Sequence, residues 1–341
     1  MRFKYKFERE PLTSVIIYKF DSMKKILLFI FLTVVLISCK QKNNAPTIGF
    51  ADAFEDNTIA QAKIGFLDAL KKNGFSEEQK TLNVIYRNAQ GNIPTLTQIV
   101  KYFISQKVSL IATNPSLSTI TAIQNTKEIP VFMMVSPIPG LMKLMDEKGN
   151  APANLFGVGE ELNYIDTSFS LIPKLIKPKS AQLNVGMIFN QSEPQSIDAL
   201  NRIKSLANQL NINLVSLPVN SSADVQLVTQ SLLTKNIDAF FANPDNTVFS
   251  SFETIIKSCN NAKVPVFTSE AGLVARGAVA AYGADMYQWG YQSGEQAAQF
   301  LKTNSTQNIH WEKVKIRKKV FNTKAAQQFN IAMPQGFEAI N

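Results

Sequence analysis

The stretch VSLIATNPSLSTITAIQNTKEIPVFMMV, residues 108–135, decides the fold. Val108–Ala112 reads as a strand, Ser116–Asn125 as a helix and Pro130–Val135 as a second strand. Two strands separated by one helix make a β–α–β unit, and such units build parallel sheets with helices on their faces. The order recurs further on, with a strand at Asp238–Ala242, a helix at Thr247–Cys259 and a strand at Val264–Thr268. The residues echo as well. Ala112-Thr113-Asn114-Pro115-Ser116 closes one strand, and Phe241-Ala242-Asn243-Pro244-Asp245 closes the corresponding one. Ile129-Pro130-Val131-Phe132 matches Val264-Pro265-Val266-Phe267 one strand later.

Working outward, each unit extends in the same rhythm. Before the first come a strand at Thr47–Ala51, a helix at Thr58–Lys72, a strand at Leu82–Tyr86 and a helix at Thr95–Gln106. Ile59, Ala62, Phe66 and Leu70 give the first helix its apolar face, and Asn73-Gly74 stops it. Before the second come Asn184–Phe189, Ser196–Leu210, Ile212–Ser216 and Ala223–Thr234, and after it Ala278–Tyr282 and the long helix Met286–Lys302. Gly49 and Gly186 occupy the same place in the two opening strands. The expected architecture is α/β, with two similar lobes, each an open parallel sheet covered by helices.

Ligands of open parallel sheets bind beyond the carboxyl ends of the strands. The candidate segments are Asp52–Glu55, Asn114–Ser116, Ser136–Pro137, Asn190–Glu193, Asn243–Thr247, Ser269–Ala271 and Asp285. They are rich in Asn, Ser, Thr, Asp and Glu and run directly into helix starts. Free amides at a helix start suit a carboxylate, and nearby side-chain carboxylates suit an ammonium. The same residue types also serve as plain helix caps.

The N-terminus adds a different signal. Met23-Lys24-Lys25 precedes the apolar run Ile26–Ile37, which ends in Leu36-Ile37-Ser38-Cys39. The run is 12 residues long, against the roughly 20 of a membrane-spanning helix. A basic start, a short apolar run and a terminal cysteine read as a secretion signal, and the last four residues resemble a lipoprotein box. Export with lipidation at Cys39 is the expectation, with 1–22 an upstream tail or mis-assigned start, 23–38 the signal and 39–45 a tether. Net charge is +9, and the first 38 residues hold seven basic and three acidic groups, which leaves +5 beyond them. No basic run with interleaved aromatics appears, so nucleic-acid binding is not expected. His310 is the one histidine, which argues against a His-rich metal site, and there is no Gly-x-Ser-x-Gly nucleophile turn. Cys259 reads as a small, partly buried apolar residue.

Longer motifs carry a family resemblance. The segment Pro265-Val266-Phe267-Thr268-Ser269-Glu270-Ala271-Gly272-Leu273-Val274-Ala275-Arg276-Gly277-Ala278 continues to Tyr282-Gly283-Ala284-Asp285-Met286-Tyr287-Gln288-Trp289-Gly290. With it go the turns Asn190-Gln191-Ser192-Glu193-Pro194-Gln195-Ser196 and Pro244-Asp245-Asn246-Thr247. Over Pro46–Pro334 the chain resembles the solute-binding lipoproteins of bacterial ABC importers, of the type I periplasmic-binding-protein fold and the tryptophan/tyrosine (amino-acid) subgroup. It departs from their pattern where Glu55-Asp56-Asn57 replaces Glu-His-Pro and where Ser136-Pro137 replaces Asp-Pro.

The resemblance implies a three-strand hinge, with crossings near Glu161, Asp285 and Val320. Lobe one would be 46–160 plus 286–320, and lobe two 161–285 plus 321–341. It implies a monomeric, non-catalytic receptor without a cofactor, lipid-anchored to a bacterial membrane. That receptor would take up a small amino-acid-like solute by hinge closure and deliver it to an ABC permease with its ATPase subunit. Ser116 and Ser192 are expected to hold an anionic group, and Asp245 and Asp285 an ammonium, with Glu193 and Glu270 as further candidates. Asn190, Asn246 and Thr247 would orient the solute, and Phe54 would cover its side chain. Glu55, Asn114 and Ser269 complete the expected lining. Two other readings remain open: a sensing subunit for a membrane signalling partner, and an exported hydrolase using Glu193 and Asp245 as an acid/base pair.

Overall fold

The computed structural model describes residues 45–340, together with positions 1 and 4. The expected signal peptide, Cys39 and all but the last residue of the tether lie outside the described residues. Strands β1 (Thr47–Asp52), β2 (Asn83–Asn88), β3 (Leu110–Asn114), β4 (Val131–Pro137) and β5 (Leu155–Glu160) form a parallel sheet in the order β2-β1-β3-β4-β5. Strands β6 (Leu183–Asn190), β7 (Ile212–Val219), β8 (Ala239–Ala242) and β9 (Val266–Thr268) form another in the order β7-β6-β8-β9. Strand β10 (Ala280–Ala284) runs beside β9, with Val279 N–H donating to the Val266 carbonyl at 2.7 Å and Ala284 N–H to that of Ser269 at 3.2 Å. Both lobes therefore share one strand order, and in each the order reverses between the first and third strands. That crevice is where such sheets take ligands.

The repeated glycines have a packing reason. A methyl group on Gly49 would run into the Phe103 ring, and one on Gly186 into Ile237 and Leu232. In each lobe a bulky apolar side chain lies directly on the opening strand. Rings fill much of what remains, with Phe50 edge-on to Phe66 at 5.9 Å in the first lobe and Phe169 edge-on to Phe241 at 5.3 Å in the second. Cys259 is fully buried rather than partly so.

The final strands tie the lobes together. β11 (Glu312–Lys313) joins the first sheet beside β5, whereas β12 (Arg317–Asn322) runs antiparallel to β10, and β13 (Glu338–Ile340) lies beside β12. Three segments, after β5, after β10 and between β11 and β12, connect the sheets, and Val320 pairs with Ala281 of β10. Helix Met286–Thr303 returns to the first lobe and packs along helix Asn57–Lys72.

Two local features differ from the sequence reading. The expected helix Thr247–Cys259 is broken at Ser251 into Asn246–Ser250 and Phe252–Asn261, and the Phe249 carbonyl beside the break accepts from the Ser251 N–H and from Arg276 Nη2, the latter at 3.0 Å. Strand β4 bulges between Met133 and Ser136, where Val135 adopts φ 49°. A β-branched residue in the left-handed region is strained, and such strain concentrates at functional sites. Among the described residues no helix is long and apolar enough to cross a membrane.

Candidate functional site

The bulge at Val135 borders a cavity between the lobes with about 450 Å³ of empty space, part of it open to solvent. The first lobe and its connections supply Ser116, Val135, Ser136, Pro137, Leu162, Met286 and Trp289. The second supplies Gln195, Pro244, Asp245, Asn246, Phe249 and Glu270. The wall is mainly apolar, with Trp289 held in place by its indole N–H, which donates to the Val158 carbonyl at 3.0 Å.

Glu270 is the exceptional polar group. It follows the end of β9 and is buried. Its Oε1 accepts from Tyr164 Oη at 2.8 Å and from Ser269 Oγ at 3.4 Å, whereas Oε2 is buried with no hydrogen-bond partner. Burial pushes its pKa up to about 8, against the lowering effect of the Tyr164 hydrogen bond. An unpartnered buried carboxylate oxygen costs free energy until a donor reaches it. Nearby Glu160 is satisfied by a bidentate pair with Arg317, at 2.9 and 2.6 Å.

Asp245 is spoken for by the protein itself. Its Oδ1 caps helix Asn246–Ser250, accepting from the Thr247 and Val248 amides at 2.8 and 3.0 Å. Its Oδ2 accepts from Asn190 N–H at 2.6 Å and Ser196 Oγ at 2.5 Å. Four donors fill a carboxylate, so no oxygen of Asp245 is left for an ammonium. Asp285 is similarly engaged: it caps helix Met286–Thr303 through Gln288 N–H at 3.3 Å and pairs with Lys318 at 2.8 Å. Ser116 presents the opposite situation. It begins helix Ser116–Asn125, whose N-terminus has no side-chain cap.

A second, wider cavity lies toward the cleft mouth and contains about 1160 Å³ of empty space, part of it open to solvent. Phe54, Glu55 and Leu117 face Asn190, Ser192, Glu193 and Thr247 across it. Glu193 stands between the two cavities. It accepts from Asn246 Nδ2 at 2.8 Å and Gln195 Nε2 at 2.6 Å, and burial, followed by the Asp245 charge, pushes its pKa up to about 8.

Of the residues expected at the site, Ser116, Asp245, Asn246 and Glu270 line the inner cavity. Phe54, Glu55, Asn190, Ser192, Glu193 and Thr247 line the outer one. Asn114, Ser269 and Asp285 line neither. Asn114 is fully buried and braces helix Asn57–Lys72 through the Ile59 carbonyl at 3.2 Å. The sequence reading did not name the apolar wall of Val135, Leu162, Phe249, Met286 and Trp289, because such residues look the same in a core. Among the described residues, no group of three or more His, Cys, Asp or Glu side chains is placed to hold a metal ion.

A two-lobed fold with a cleft of this kind is matched by a family model for ABC transporter substrate binding proteins over residues 47–339. The chain belongs to this family. It is 32% identical over 275 residues to the tyrosine-binding protein of Clostridioides difficile (strain R20291), covering 80% of this chain and 76% of that protein. Its fold is similar to that of the ABC domain in complex with L-Trp from Streptococcus pneumonia, with TM-score 0.77, 22% identity, and 86% and 97% of the two chains covered. It is also similar to the ligand-free, open structure of a substrate binding protein with adhesive properties from Clostridium difficile. There the TM-score is 0.64, with 26% identity and 86% and 99% covered. As in other substrate-binding proteins of the family, the cleft is a place of solute capture.

Proposed function

We propose that the cleft captures an α-amino acid with a large apolar or aromatic side chain and hands it to an ABC permease. The observation that carries this reading is the unpartnered Oε2 of Glu270 in a mainly apolar cavity. A primary ammonium brings three donors and a full charge, which is what a lone buried carboxylate oxygen lacks. The solute carboxylate would meet the uncapped start of helix Ser116–Asn125, where amides and helix dipole favour an anion. Its side chain would lie against Phe249, Met286 and Trp289. The names of a tyrosine-binding relative and a tryptophan-bound neighbour support an aromatic solute. In this reading Asp245 builds the pocket floor and does not hold the ammonium. Export and lipid anchoring at Cys39 belong to the same proposal, supported by the basic start, short apolar run and terminal cysteine of residues 23–39.

The test is a thermal-shift panel of single amino acids on the chain from Lys40 onward, unfolded and refolded to remove carried-over solute. A solute at 100 times its dissociation constant adds about 2.7 kcal/mol of stability. The expected result is a shift with Trp, Tyr or Phe and little with Asp, Lys or Gly. No shift with any amino acid would overturn the assignment.

A further inference from the structure

Arg276 of the second lobe reaches the first. Its Nη1 donates to Asp56 Oδ2 at 2.6 Å and to Thr58 Oγ1 at 2.9 Å. Its other nitrogens stay on its own lobe, with Nε and Nη2 on the two Glu253 oxygens at 2.8 and 2.9 Å and Nη2 also on the Phe249 carbonyl. Asp56 is equally well fixed. Its Oδ1 caps helix Asn57–Lys72 through the Thr58 and Ile59 amides, both at 2.9 Å. The pair is shielded, with the side chains of Arg276 and Asp56 15% and 2% exposed. Separating the lobes would therefore break only the two Nη1 bonds and leave each partner held in place.

We propose that Arg276 and Asp56 form a preorganised latch that populates the closed, two-lobe state even without solute, and so sets the affinity for whatever solute the cleft takes. Two observations support a latch rather than a passing surface pair. Both partners are anchored before they meet, so little side-chain freedom is lost on closure, unlike the usual exposed ion pair. The lobes also touch beside it with no room to spare, since a methyl group at Gly272 would collide with the Thr58 side chain. The affinity of a solute that binds only the closed state scales with the closed fraction, so a latch acts on affinity without touching solute. The inference rests on lobe closure and not on the identity of the solute.

The test reads the lobe separation directly by double electron–electron resonance on refolded, solute-free protein from Lys40 onward. Spin labels go on Lys101→Cys and Leu227→Cys, exposed positions on helices of opposite lobes; the native Cys259 is buried. The parent should show a short-distance population, and Asp56→Asn should deplete it roughly tenfold, because asparagine keeps the helix cap but loses the charge. Gly272→Ala should deplete it as well, by blocking contact sterically. Thermal melts of both variants check that they fold. A parent with only the long distance, or folded variants with the parent's distribution, would overturn the latch. Because no solute enters the experiment, failure of the amino-acid reading would leave this result intact.

Discussion

At the end of β3 the first lobe places Asn114-Pro115-Ser116, and at the end of β8 the second places Asn243-Pro244-Asp245. The two asparagines do the same work. Asn114 Nδ2 donates to the Ile59 carbonyl at 3.2 Å, and Asn243 Nδ2 to Ser196, at 3.3 Å to its carbonyl and 3.0 Å to its hydroxyl. Each pins the helix that follows its lobe's opening strand to the end of the third strand. The next-but-one residue divides them. Ser116 leaves its helix start uncapped toward the cavity, whereas Asp245 closes its own helix start with a carboxylate. A duplicated architecture thus leaves one lobe with a helix start that no side chain caps. The other lobe has filled that end and offers a lone carboxylate, Glu270, instead. A solute with a carboxylate at one end and an ammonium at the other would bridge the two.

Substitutions can break this contrast in graded ways. The largest effect is expected from Asp245→Ala, which orphans a cap, the Asn190 amide and the Ser196 hydroxyl. It should lower stability by about 3 kcal/mol in urea unfolding. Glu270→Gln should cost about 2 kcal/mol of amino-acid binding, roughly thirtyfold in dissociation constant, while leaving the fold intact. It should also change the pH response. In the empty protein Glu270 keeps its proton up to about 8, whereas the ordinary value is 4.5. Its stabilising contribution is therefore complete below 4.5 and is lost as pH rises through about 8. Binding runs the other way, since an ammonium needs the charged carboxylate, so affinity should rise with pH across that window in the parent and less in the variant. Ser116→Asp would make the first lobe resemble the second. It should weaken amino-acid binding by about 1 kcal/mol in titration calorimetry and slightly raise the melting temperature, because the new carboxylate takes the helix end. The smallest effects are expected from Asn114→Ala and Asn243→Ala, each costing about 1 kcal/mol of stability and by similar amounts, if the two braces are equivalent.

The succession of strands and helices and the lobe duplication were legible because a β–α rhythm is written in apolar runs and turn residues, and because Asn-Pro and Pro-Val-Phe recur in register. The cleft-facing segments were legible for the same reason, since ligands gather at strand ends in this architecture. Roles within those segments were not. Asp245 and Glu270 are both acidic residues after a strand, and nothing local distinguishes a carboxylate with four donors from one with an oxygen left over. That difference depends on Asn190, Ser196 and Tyr164, which are 49 to 106 residues away in the chain. The partner of Arg276 was hidden in the same way, 220 residues distant at Asp56. Asp56 lies in the triplet where the chain departs from the resembled pattern, and its aspartate caps a helix while meeting an arginine of the other lobe. Strand β11 was not expected, because it is only two residues long and gives no periodic signal.

The central claim is that Glu270 receives the ammonium of an amino acid. Titration calorimetry with L-tryptophan and L-tyrosine at pH 7, in two buffers of different ionisation heat, counts the protons released on binding. The parent should bind and release most of one proton, as Glu270 gives up the one it holds below about 8. Glu270→Gln should bind roughly thirtyfold more weakly and without that release. Binding with no proton release and unchanged affinity in Glu270→Gln would contradict it.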